Sequence, residues 1–285
     1  MSRRRALTFL GIAGAATAAT ACATATTTGT SSATSTTTSA AASDTGAVSA
    51  APQETAGPYP GDGSNGPNVL IESGVVRSDI TTSFGSYSGV AEGVPMTLRL
   101  SLRDLANGAA GAGMAVYVWH CDRSGAYSLY SPGVTDQNYL RGVQVADETG
   151  AVTFTSIFPA CYSGRWPHIH FEVYDSLETA VAGSNARLTS QIALPQDACE
   201  AVFAQDSGYA QSIRNMSDVS LASDNVFGDG WDAELATVTG TPASGLTVAL
   251  TIGVAARSEN SSPEEGFGKP GGPPSGRPGG PPPGR

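Results

Sequence analysis

Apolar residues fall on alternate positions in a series of short runs. Met96, Leu98, Leu100 and Leu102 alternate with Thr97, Arg99, Ser101 and Arg103, which predicts a strand with one buried face. Met114, Val116, Val118 and His120 fall on one side of a second strand, with Ala115, Tyr117 and Trp119 on the other. Residues 152–154 and 169–171 predict further short strands, and Leu246, Val248, Leu250, Ile252 and Val254 alternate once more. Asn107-Gly108 turns the chain after the first run, and Asp122-Arg-Ser-Gly125 and Asp147-Glu-Thr-Gly150 repeat one D-x-x-G form between strand-like segments. A helical period stands out only over residues 197–204. Many short strands separated by turns predict an all-β domain, a β-sandwich of mostly antiparallel strands with long loops and little helix.

This pattern stops short of both ends of the 285-residue chain. Residues 1–21 have the layout of an export signal: Arg3-Arg4-Arg5, a short apolar stretch, then small residues through Ala21. The Ser2-Arg3-Arg4 start is twin-arginine-like. Cys22 follows at a lipoprotein-type site, so the expected outcomes are cleavage and release or a lipid tether on Cys22. Residues 22–50 are almost all Thr, Ala and Ser, a flexible stalk that buries too little apolar surface to fold. Residues 257–285 form a Pro/Gly-rich tail of the same character, which holds Lys269, the single lysine. Residues 51–256 remain as one domain with room for a core.

That domain carries eight Arg and no Lys against 21 acidic residues, a net charge of −13 where the whole chain has −10. So acidic a surface excludes non-specific binding to nucleic acid or anionic lipid. No apolar run reaches the roughly 18 residues of a membrane span. An exported location, extracellular or at the cell surface, predicts one disulfide among Cys121, Cys161 and Cys199, with Cys161–Cys199 favoured and one thiol left over.

The three histidines of the chain, His120, His168 and His170, lie between positions 120 and 170. On a strand, His168 and His170 share one face and can reach one cation. Two phenols stand close by in sequence, Tyr127 at the end of the first D-x-x-G turn and Tyr162 six positions before His168. A hard, highly charged cation such as Fe(III) takes phenolate oxygen, whereas neither a cysteine knuckle nor H-E-x-x-H points to zinc. Taken alone, these residues are also compatible with copper on the three histidines, or with an exported binding module whose histidines are structural.

Three stretches carry a resemblance: Trp119-His-Cys-Asp-Arg-Ser-Gly-Ala-Tyr127, Leu140-Arg-Gly-Val143 with Asp147-x-x-Gly150, and Tyr162-Ser-Gly-Arg165-Trp-Pro-His168-Ile-His170. They resemble the intradiol ring-cleavage dioxygenases, nearest to the protocatechuate 3,4-dioxygenase type and its exported single-chain relatives. Glu54-Thr-Ala-Gly-Pro-Tyr59 resembles that family's entry motif. The resemblance implies a non-haem Fe(III) held by Tyr127, Tyr162, His168 and His170, with Tyr162 and His170 axial. It implies further that Arg165 and Gln191 lie beside the substrate, and that Tyr162 leaves the metal as substrate arrives. The implied reaction opens catechols with O2 between the two hydroxyl-bearing carbons, giving cis,cis-muconate-type diacids. His120 is not among the implied ligands and is expected to fill space. The helical N-terminal dimerisation segment of the catechol and hydroxyquinol branches is absent, so their oligomeric state does not transfer.

Overall fold

A computed structural model describes residues 48–183 and 185–257. The export signal, Cys22, nearly all of the Thr/Ala/Ser stalk and the Pro/Gly tail beyond Arg257 lie outside the described residues. The described chain forms nine strands and three short α-helices. The strands are β1 (Pro95–Asp104), β2 (Ala109–Ala110), β3 (Ala115–Trp119), β4 (Arg141–Val145), β5 (Ala151–Ile157), β6 (His168–Tyr174), β7 (Leu188–Ala193), β8 (Thr237–Thr241) and β9 (Gly245–Val254). The helices are α1 (Leu177–Val181), α2 (Gln196–Gln205) and α3 (Ala210–Ser217). No helix among the described residues is long and apolar enough to cross a membrane.

The strands make two sheets, one in the order β2-β1-β9-β8 with β5 also on β1, the other in the order β4-β3-β6-β7. In β1 the even-numbered residues are buried, as the alternation requires, and Leu98, Leu100 and Leu102 join Val116, Val118, Ile169 and Phe171 in one core. One pairing departs from the antiparallel expectation: β1 and β9 run parallel, Met96 against Leu246 through Asp104 against Val254. Alternation marks the faces of both strands but carries no information on which strand lies beside which, or in which direction.

β3 and β6 are buried on both faces. Their inner face meets the core. Their outer face, with Tyr117, Trp119, His168, His170 and Glu172, is covered by the long segment that precedes β1, where the Tyr117 hydroxyl donates to the Pro60 carbonyl at 2.7 Å. Helix α2 contains the predicted helical window, whereas α1 and α3 had no readable period, being 5 and 8 residues long.

The expected disulfide does not form. Cys121, Cys161 and Cys199 are all free and buried. Each thiol faces a backbone carbonyl instead, Cys121 that of Ala160 at 3.6 Å and Cys161 that of Arg165 at 3.4 Å, and burial pushes all three thiols well above their ordinary acidity range. Odd-cysteine arithmetic failed because these side chains serve as small core residues.

Candidate metal centre

The site is assembled from one strand and two loops. β6 supplies His168 and His170 from alternate positions, hence from one face. The loop after β3 supplies Tyr127, and the loop before β6 supplies Tyr162. The first loop is shaped by its own aspartate: Asp122 Oδ1 accepts from the Ser124 and Ala126 N–H groups at 2.8 and 3.1 Å, and Gly125 takes φ +88° where a side chain would crowd Tyr162.

Arg141 locks that loop in place. Its five N–H donors all find acceptors: Ser128 Oγ, the Ser128, Pro60 and Tyr59 carbonyls, and Tyr117 Oη, at 2.8 to 3.2 Å. One buried cation thereby joins the loop carrying Tyr127 to the segment over the sheet. Gly57 in that segment has φ +68°, and a Cβ there would sit 3.3 Å from His170 Cε1, so the backbone passes directly over the imidazole.

The four predicted ligand side chains converge. His168 Nε2 lies 3.1 Å from His170 Nε2 and 3.2 Å from Tyr162 Oη. The Tyr127 ring stands edge-on to Tyr162 and to His170, with centroids 5.9 and 6.2 Å away. The His168 Nδ1–H donates to the Trp166 carbonyl at 2.5 Å, which leaves the Nε2 lone pair turned into the centre. His170 is held by Trp119 stacked on its face. His120 stands apart, with both ring nitrogens engaged by the Cys121 carbonyl and Ser156 Oγ at 2.8 Å each. It does more than fill space, since it braces the strand end from which the Tyr127 loop departs.

These residues fit a trivalent cation. Tyr127 Oη is buried with no hydrogen-bond partner, a costly state for a group that water would otherwise serve. Neighbouring ligand atoms each about 2.1 Å from one ion lie about 3 Å apart, the spacing found between the imidazole nitrogens. Among the described residues no group of three or more His, Cys, Asp or Glu is arranged to hold a metal, so a metal bound here must use the phenols. Burial keeps His168 neutral, its pKa lowered to about 3 by desolvation and by Arg165, and lowers His170 well below its ordinary value. Burial also raises the Tyr162 phenol to about 12 and Tyr127 well above its usual range. A strong Lewis acid reverses that preference for the protonated phenol.

Arg165 lies at the rim. Its Nε–H donates to Asp224 Oδ2 at 2.9 Å and an Nη2–H to Gln191 Oε1 at 2.6 Å, while the Gln191 amide donates to the Thr55 carbonyl at 2.9 Å. Asp224, Trp119 and Thr55 all shape this site, and sequence reasoning had not assigned a role to any of them. Thr55 lay in the stretch that resembles the family's entry motif, and Trp119, paired by strand register with His170, had a readable signal, because both fall on the outer face of adjacent strands; Asp224 had none.

A family model described as "Dioxygenase" matches residues 66–225, more than half of the chain and every side chain of the centre. The chain belongs to the intradiol ring-cleavage dioxygenases. The protein is similar to the intradiol ring-cleavage dioxygenase of Tetranychus urticae, with 25% identity, a TM-score of 0.57, and coverage of 73% of this chain and 95% of that one. A second crystal structure, of dioxygenase Tetur07g02040, gives 26% identity, the same TM-score, and coverage of 73% and 94%. Chlorocatechol 1,2-dioxygenase from Rhodococcus opacus is 42% identical over 62 residues, 22% of this chain. That match spans about a quarter of the curated relative's length, 24%.

Proposed function

We propose that the protein is a non-haem Fe(III) dioxygenase that uses O2 to open catechols between the two hydroxyl-bearing carbons, giving cis,cis-muconate-type diacids. The observation that carries this reading is the convergence of two phenols and two neutral imidazoles within a buried centre, with Arg165 and Gln191 at its rim. Tyr127, Tyr162, His168 and His170 would hold the iron. Bound ferric iron would supply the Lewis acidity that ionises phenols and catechol hydroxyls, and the covalency that opens the ring carbons to O2.

The protein's own groups do the rest. The Tyr162 oxygen, on the less buried of the two phenols, accepts one substrate proton. Moving one proton from a catechol hydroxyl to the Tyr162 phenolate leaves the net charge of a low-dielectric pocket unchanged. Arg165, clamped on two edges, offers its remaining N–H groups to negative charge developing on the ring. Gln191 fixes that guanidinium to the segment over the sheet. The preferred substrates are neutral catechols: of the two guanidiniums acting on the imidazoles, Arg141 has no free donor and Arg165 is already matched by Asp224. The protein is exported by the signal at residues 1–21, as a released enzyme or one tethered through Cys22.

The test is purification after expression with iron, followed by visible spectroscopy and oxygen uptake with catechol. A tyrosinate-to-iron absorption band and a diacid product support the reading. A colourless protein after iron loading, or a yellow semialdehyde product, overturns it.

A further inference from the structure

Asp224 has no place in the donor set above, yet its carboxylate is wholly buried and accepts four hydrogen bonds. Oδ2 takes the Arg165 Nε–H at 2.9 Å and the Trp166 backbone N–H at 2.6 Å. Oδ1 takes the Val226 and Phe227 N–H groups at 2.8 and 3.2 Å, which anchors Asp224 in its own loop. These bonds hold the carboxyl below the usual carboxylate range against the opposing effect of burial, so it stays ionised. Arg165 and Trp166 are neighbours in sequence that serve different partners: Arg165 reaches toward Gln191, and the Trp166 carbonyl receives the His168 Nδ1–H. The Trp166 indole is pinned separately to the Leu194 carbonyl at 2.8 Å. One oxygen atom therefore sets both the substrate-side guanidinium and the residue that fixes the tautomer of a ligand imidazole.

We propose that Asp224 is a positioning residue of this centre, coupling the orientation of Arg165 to the orientation and tautomer of His168. The coupling rests on the functional reading above, on its catalysis for the effect on turnover and on its iron alone for the effect on metal retention. Its ionised form suits both tasks. It balances the Arg165 charge, so the guanidinium delivers directed donors without pulling substrate anions deeper into the pocket. It also gives the Trp166 N–H an acceptor, which keeps the turn before β6 from rotating the Trp166 carbonyl away from His168. An amide cannot replace it, because the Asn nitrogen would face two N–H donors, or on flipping would lose the two bonds that anchor the loop.

The experiment compares wild type, Asp224→Asn, Arg165→Gln and the double variant, each loaded with Fe(III). Two readouts are used: turnover of catechol, and loss of the tyrosinate absorption when a chelator competes for the iron. In Asp224→Asn, kcat falls about 10- to 100-fold with a smaller change in KM, and iron is lost about tenfold faster. Arg165→Gln lowers kcat but leaves iron retention unchanged. Per bound iron, the double variant loses less than the product of the two single losses, because part of the Asp224 effect on turnover runs through Arg165, while its iron loss matches that of Asp224→Asn. Asp224→Asn with wild-type kcat and wild-type iron retention overturns the proposal, and so do losses in kcat that multiply in the double variant. Should Asp224→Asn not fold, Asp224→Glu, which keeps the charge one methylene displaced, carries the same comparison with the same expected pattern. A wild type that retains iron yet leaves catechol untouched removes the catalytic reading alone, and the retention contrast still decides the role of Asp224.

Discussion

Trp119 lies face to face with His170, ring centroids 4.9 Å apart and planes 5° from parallel. The two are register partners on β3 and β6, so the stack is a cross-strand pair built into the sheet and independent of any loop. It fixes the imidazole plane before a metal arrives, and Tyr117 stacked on the far side of the indole extends the same column.

Tyr127 tests the origin of the unpartnered hydroxyl. Removing an unbonded buried oxygen costs the apoprotein almost nothing, so apo Tyr127→Phe is expected to unfold within about 1 kcal/mol of wild type or to be slightly more stable. The same variant should bleach or shift the visible band of the iron-loaded protein. Calorimetry on the metal-free form and absorption on the loaded form check the two halves; a large loss of apoprotein stability contradicts the assignment.

Arg141 supports the architecture of the site without touching the proposed substrate. Arg141→Gln strands the Tyr59 and Ser128 carbonyls, and is expected to cost about 2–4 kcal/mol in denaturant unfolding. A loss under 0.5 kcal/mol would show that the two segments hold together without it.

Substrate charge should be read in kcat/KM. With Arg141 fully bonded and the Arg165 charge already balanced by Asp224, catechol and alkylcatechols are expected to exceed protocatechuate by about tenfold or more, equivalent to about 1.4 kcal/mol. Equal values would show that Arg165 receives the carboxylate despite its pairing with Asp224.

Stability should fall as pH rises through neutrality. Glu234, about 1% exposed with Oε2 unpartnered, is raised from 4.5 to about 8 by desolvation and by Glu54, while Glu54 and Glu172 are raised to about 7, mainly by burial. A carboxyl with a raised folded-state pKa favours the fold fully below about pH 4.5 and loses that advantage as pH climbs to the folded value. Below about pH 6.5 the three histidines, held neutral in the fold, oppose this trend, so the melting temperature of wild type is expected to decline between about pH 6.5 and 8, and Glu234→Gln should flatten the decline. A Glu234→Gln profile parallel to wild type would refute this.

Much of the fold was legible because period-2 alternation is a local signal: β1, β9 and the faces of β3 and β6 are written in single side chains. Burial of the outer face was not legible, since it depends on a long segment folding back over the sheet. The parallel β1–β9 pairing was hidden for the same reason. At the site, chemical type and spacing marked a metal site near His168 and His170, and the resemblance to the family added Tyr127 and Tyr162 as a defined ligand set. Asp224 is an ordinary aspartate in a polar loop, 59 positions from Arg165, and only the folded chain shows what it holds. The three cysteines misled because packing, and not pairing, decided their fate.

The parallel seam between β1 and β9 also reaches the cover of the site. The Ala51 N–H donates to the Gly253 carbonyl at 2.9 Å, so the last strand secures the start of the segment that passes over His170. Contacts of such long sequence separation form late and slowly. A truncation before β9 would therefore free that cover at Ala51 and leave it tied further along, by Arg141, Tyr117 and Gln191.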